Sequence, residues 1–315
     1  VLGLLAFLIV GLLQTAGCDQ EARRVVYVPV EELEFADPLL RGCVREMAKT
    51  YHWPTAGRVE SLHCTGSGDD AEIRRLEGIE SLVNLEDLNV AHNRIQDLNP
   101  LLHLRKLIRL DLGFNDIERV TALPRALHID LNHNRLGEID WVKSTPSVRT
   151  ILLEYNRIED LTPLSELEWL VELRVSGNRI ERLDGLQHAT RLEFLDASSN
   201  RINSVEELRA LSQLTMLQLA DNQIGDVGPL ADLVHLRTLD LSGNRIEDVS
   251  ALAGLVNLKV LNVGNNPIRN LTGLIELGEL HKLDIRGLPD PPCAQVHELV
   301  QVFGEDVVLT DSACG

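Results

Sequence analysis

Aromatic side chains are scarce in this sequence: 5 Phe, 3 Tyr and 3 Trp in 315 residues, 3% of the chain. A core that leans on large rings is therefore excluded, and its apolar volume must come from elsewhere. Positive charge is short as well. Against 48 acidic residues stand 30 basic ones, a formal net charge of -18. That balance excludes nucleic acid as a partner, because phosphate binding needs clustered Lys and Arg and gains affinity from released counterions. The same acidity favours solubility and mutual repulsion, and so a monomer. Reaction motifs are absent too. No GxSxG elbow, HExxH helix, phosphate loop or CxxC pair occurs, so neither an enzyme nor a cofactor is expected.

Leucine is what the sequence has in excess, 58 residues within a hydrophobic share of 44%. That is enough for a sizeable core, and it argues against wholesale disorder. Length alone suggests two globular domains, a prior that fails for a repeat array. Asparagines recur at Asn93, Asn115, Asn134, Asn156, Asn178, Asn200, Asn222, Asn244 and Asn266, with spacings of 22, 19 and then 22 six times. Aliphatics keep register with them. Five and three residues before Asn178 stand Leu173 and Val175, and two after it Ile180; the other repeats follow suit.

The pattern LxxLxLxxNxIxxL resembles the leucine-rich repeat, over residues 59–288, and its 22-residue length is similar to the internalin-like bacterial class. The resemblance implies an α/β repeat solenoid: a right-handed horseshoe with a parallel concave sheet, a convex side of 3-10 or extended segments, and caps at both ends. LxL alternation turns two aliphatics of each strand inward and the residues between them outward. A single repeat cannot bury its apolar face, so stability comes from stacked neighbours. The asparagines, where the chain leaves the strand, are expected to form a buried structural ladder with backbone groups of adjacent turns.

Residues 1–13 are almost wholly apolar, too few to span roughly 30 Å of hydrocarbon but suited to a signal peptide over residues 1–17. Thr15-Ala16-Gly17-Cys18 resembles the lipobox of bacterial lipoproteins, which implies a lipidated Cys18, a tether over 18–36 and a membrane-anchored protein of the cell envelope. Thr15 departs from the usual Leu, and no basic segment precedes Val1. Asp19 looks like the inner-membrane retention signal of some diderm lipoproteins. Setting Cys18 aside leaves Cys43, Cys64, Cys293 and Cys314. Of three connectivities only Cys43–Cys64 with Cys293–Cys314 staples each end separately. In an oxidising compartment, loops of about 20 residues each contribute on the order of 3 kcal/mol.

Both ends read as caps. Asp37-Pro38 is an N-cap followed by Pro at the first helical position, and Leu39, Leu40, Cys43, Val44 and Met47 share a helical face, so a helix is expected over 38–51 within a cap over 37–58. After the repeats, a disulfide-closed cap over 289–315 is expected to hold a helix carrying Val296, Leu299, Val300 and Phe303 and a short strand at Val307, Val308 and Leu309.

Large side chains in an otherwise small or acidic outward set mark the expected partner surface. Phe114, His133 and Tyr155 each stand one before an asparagine and are expected to stack; Leu152, Arg174, Phe194 and Met216 project from the concave face. Exposed apolar groups on a sheet usually mark an interface, with aromatics as anchors. His92, His128 and His133 with Asp111 and Asp130 could converge on the concave face, but spacing of this sort is weak evidence for a metal site, and none is expected. The function expected is a non-enzymatic, lipid-anchored scaffold binding an unknown protein through the concave face. A structural envelope protein, or an intracellular regulator similar to phosphatase-binding repeats, are the alternatives.

Overall fold

The computed structural model describes residues 27–66, 72–311 and 314. The signal peptide of residues 1–17 and Cys18 lie outside the described residues. The chain divides into two compact units, one of residues up to 117 with 122–126, the other of 118–121 with 127–315. The division falls within the shortened repeat between Asn115 and Asn134.

In the first unit, helix α1 (Pro38–Tyr51) packs ahead of three short parallel strands, β1 (Ser61–His63), β2 (Asp87–Asn89) and β3 (Arg109–Asp111). Asp37 starts the helix by accepting the Leu39 amide at 2.9 Å, as its N-cap position requires. Its other oxygen accepts the Arg74 amide at 2.8 Å, so one buried carboxylate both caps the helix and pins it to the first repeat. The helix buries Leu40, Val44 and Ala48. Leu39 departs from expectation: it is 42% exposed. The five apolar positions span more arc than the stack covers, and the i, i+4, i+8 row wins the interior. A disulfide joins Cys43 on α1 to Cys64 just after β1, with Cα atoms 5.9 Å apart.

The second unit stacks nine parallel strands in sequence order: β4 (His128–Asp130), β5 (Thr150–Leu152), β6 (Glu172–Arg174), β7 (Phe194–Asp196), β8 (Met216–Gln218), β9 (Thr238–Asp240), β10 (Val260–Asn262), β11 (Lys282–Asp284) and β12 (Val308–Leu309). From β4 to β11 each returns to the next through a short 3-10 turn such as Thr162–Glu166 or Ser250–Gly254, and the turn aliphatics Leu164 and Leu252 are fully buried. Helix α2 (Cys293–Phe303) buries Val296 and Leu299. Its Gln295 accepts the Leu271 amide at 2.6 Å, tying the helix to the last turns. A disulfide joins Cys293 to Cys314.

The asparagine amides knit consecutive repeats in both units. Asn178 Nδ2 donates to Leu153 O and Val175 O at 2.9 Å, while its Oδ1 accepts the Ile158 amide at 3.0 Å. Asn93, Asn115, Asn156, Asn200, Asn222, Asn244 and Asn266 repeat the arrangement, and Asn134 donates to Leu131 O at 3.1 Å. A carbonyl leaving the strand is thus satisfied by the side chain of the following turn, which lets irregular backbone be buried.

Candidate binding surface

The residue before each asparagine adopts the left-handed conformation. His92, Phe114, His133, Tyr155, Ser199, Asp221 and Asn265 have φ between 52° and 58°, and Gly177, Gly243 and Gly287 share the position. The turn needs this geometry to swing each asparagine inward. Gly, Asn and Asp adopt it cheaply; a bulky aromatic does not. Phe114 and Tyr155 therefore occupy a backbone position that disfavours them, and local folding gives no reason for the choice.

Each ring has a partner within its unit. In the first, Phe114 stacks on His92 at 4.3 Å between centroids, and Phe114 is 45% exposed. In the second, His133 stacks on Tyr155 at 4.4 Å. The far side of the Tyr155 ring lies over Gly177, where a Cβ would meet Cδ1 at 2.7 Å. Glycine at 177 thus supplies the turn conformation and leaves room for the ring.

Next to this pair runs the outward face of β5 to β8. Leu152 stands in register with Arg174, and Phe194 in register with Met216. Arg174 is held by Glu172 at 2.8 Å, which lays its guanidinium over Phe194, 4.4 Å from the ring centroid. A cation over a ring face is an attractive arrangement, and Glu172 fixes its direction. Leu152, Arg174, Phe194 and Met216 are each half-buried, whereas Tyr155 stands 57% exposed. Beneath Tyr155, Asn132 donates to Glu154 at 2.8 Å and Glu154 Oε1 accepts Ser176 Oγ at 3.4 Å. The outcome is an amphipathic surface with an aromatic edge, suited to holding another surface.

Of the residues expected at a partner surface, His133, Leu152, Tyr155, Arg174, Phe194 and Met216 fall on this face of the second unit. Phe114 belongs to the first unit, with His92. Sequence reasoning missed a second ring–cation pair: Arg191 lies 4.0 Å over Trp169, at the N-terminal edge of the strands. The signal was there, a Trp and an Arg 22 residues apart in a chain with three tryptophans. Trp141 is buried. Among the described residues no three His, Cys, Asp or Glu side chains are grouped to hold a metal ion.

Family models for leucine-rich repeats match residues 81–98 and, as paired copies, 190–232 and 234–276. No curated protein matches the chain. Among solved structures, an internalin (InlF) from Listeria monocytogenes is 23% identical, covering 91% of this chain and 98% of its own, with a TM-score of 0.68. Internalin C2 from the same organism is 29% identical over 75% of this chain and 96% of its own, at 0.56. A structure of the LRIM1/APL1C complex is 25% identical over 72% of this chain and 44% of its own, at 0.57.

Proposed function

We propose that this chain, an internalin-like leucine-rich-repeat protein and a scaffold rather than an enzyme, binds a partner protein through the outward face of β5 to β8 and is exported and lipid-anchored at Cys18. The observation that carries the binding reading is the Tyr155–His133 stack beside the Arg174–Phe194 pair. A Tyr ring held in an unfavourable backbone conformation, next to an ordered Arg and the half-buried Leu152 and Met216, has the composition of an interface centre. The LRIM1/APL1C structure is of a complex, which supports assembly through this type of fold. Export is supported by the two disulfides, which persist in oxidising compartments.

A photo-crosslinking amino acid at Met216, irradiated in intact cells, tests the surface. One enriched protein partner is expected, its yield falling at least tenfold in Tyr155→Ala/Phe194→Ala with circular dichroism unchanged. Undiminished crosslinking in the double variant would sink the assignment. Adducts to cell-wall material instead of protein favour the structural reading.

A further inference from the structure

The second unit carries a feature on a different surface, at the N-terminal edge of its strands. Arg237, Lys259 and His281 occupy the same position in three consecutive repeats. They are backbone neighbours: the Lys259 amide donates to Arg237 O and the His281 amide to Lys259 O, each at 2.8 Å. Lys282 follows directly, and all four side chains are exposed. Among the described residues, neither Arg237, Lys259 nor Lys282 has a carboxylate within 4.0 Å. Arginines elsewhere in this unit do find acids, as Arg182 does with Asp184 at 2.7 Å and Arg209 with Glu206 at 3.0 Å.

Like charges in register across a parallel ladder repel. In a chain with 48 acidic residues, placing cations side by side without an ion pair, Lys282 having only the longer-range attraction of Asp284, works against the isolated fold. Such a cost is offset when another molecule supplies the missing charge. Three neighbouring features describe that molecule. Val234 and Val256, 43% and 50% exposed, flank the cationic row with apolar surface. A cleft of about 350 Å³ opens beside Arg237, walled by His235, Thr215, Gln213 and one acid, Glu193. Further along the same edge stands Trp169, 47% exposed with Arg191 stacked on it. Trp and Arg are the side chains that most often anchor protein interfaces. The net charge of -18 does not cancel the row, because at physiological salt only charges within about 8 Å are felt strongly.

We infer that this edge, from Trp169 to Lys282, is a second docking surface that takes an acidic segment of a partner protein interspersed with apolar side chains. Carboxylates would meet Arg237, Lys259 and Lys282, and apolar groups would cover Val234, Val256 and the Trp169 ring. The surface is separate from the face of β5 to β8, and neither assignment depends on the other.

The probe is a fluorescein-labelled peptide of alternating Glu and Leu, titrated with the full chain and followed by anisotropy. Saturable binding is expected at 50 mM NaCl, weakened at least tenfold at 500 mM as the charges are screened. Arg237→Glu/Lys259→Glu/Lys282→Glu should weaken binding tenfold or more, the neutral Gln triple variant by less, and Trp169→Ala severalfold. An equal charge reversal elsewhere, Arg179→Glu/Arg201→Glu/Arg245→Glu, should leave affinity within twofold. Absence of saturable binding overturns the assignment, as does equal loss in the two Glu triple variants. Binding to 3:1 phosphatidylcholine–phosphatidylserine vesicles with none to the peptide also overturns it, in favour of an anionic membrane.

Discussion

At the scale of single residues, the position before each asparagine explains most about this surface. The turn imposes φ near +55°, and glycine, asparagine and aspartate elsewhere in the column meet that demand cheaply. Tyr155 does not, and its ring persists there because it stacks on His133 and on the bare backbone of Gly177. Gly177→Ala separates the two roles of that glycine. An alanine at φ +67° costs about 1 kcal/mol by conformation alone. Its methyl also lands within the Tyr155 ring, which must swing off His133. The expected outcome is an unfolding free energy lowered by about 1–2 kcal/mol, together with loss of the ring-current shifts on the His133 imidazole protons. A variant with unchanged His133 shifts would show that the ring does not rest on residue 177. The column could have been read from the sequence, since Gly177, Asp221, Gly243, Asn265 and Gly287 share it with the aromatics. That set of turn-formers is the signature of a left-handed position.

At the scale of elements, strands, turns and caps follow from local rules. LxL places the strands, Asp37-Pro38 starts α1 where the helix begins, and Leu288 in place of asparagine marks where the ladder ends. The last repeat is held differently. On β11 Asp284 is buried, and Arg286 beyond it donates from Nε at 2.9 Å. That hydrogen bond holds the Asp284 carboxyl below the usual aspartate range, against the opposing effect of its burial. A depressed folded-state value means that stability is fully present above the unfolded value, about 3.9, and is lost as pH falls through the lower folded value. Urea denaturation of Arg286→Ala and of the parent should therefore differ at neutral pH, and the gap should close in acid below pH 4. A gap independent of pH would mean that Arg286 acts through packing. The part of the site that was not legible is instructive. Arg174 over Phe194 depends on Glu172 fixing a rotamer, and Arg191 over Trp169 lies outside the LxL–Asn frame. Periodicity locates backbone positions but does not direct long side chains. Leu39 failed for a related reason, since a run of apolar residues on a helix exceeds the width that a thin solenoid end can cover.

At the scale of the whole molecule, the leucine excess and the aromatic shortage have one cause. Each repeat is a thin layer filled by aliphatics such as Leu173, Val175 and Ile180, all fully buried, and a ring is hard to fit without displacing its neighbours. Among the described residues Trp141 and Phe35 are the buried rings, and the others are exposed or half-buried. Placement in the cell rests on other observations. Two disulfides close the described ends, Cys43–Cys64 and Cys293–Cys314, leaving Cys18 as the fifth cysteine. Among the described residues no helix is long and apolar enough to cross a membrane. The anchoring we propose rests on Cys18. A single acyl chain binds a bilayer only marginally, whereas two or more, at about 0.8 kcal/mol per buried CH2, hold a protein there. A diacylglycerol on the Cys18 thiol meets that requirement. Intact-mass measurement of the membrane-extracted protein should then give a mature chain starting at residue 18, heavier by the lipid, and Cys18→Ser should release the protein into the soluble fraction. A retained 1–17 segment with a free Cys18 thiol would overturn the anchor and favour an intracellular regulator. The binding surface we propose on β5 to β8 would stand unchanged under that result, because it rests on the Tyr155–His133 stack and the Arg174–Phe194 pair.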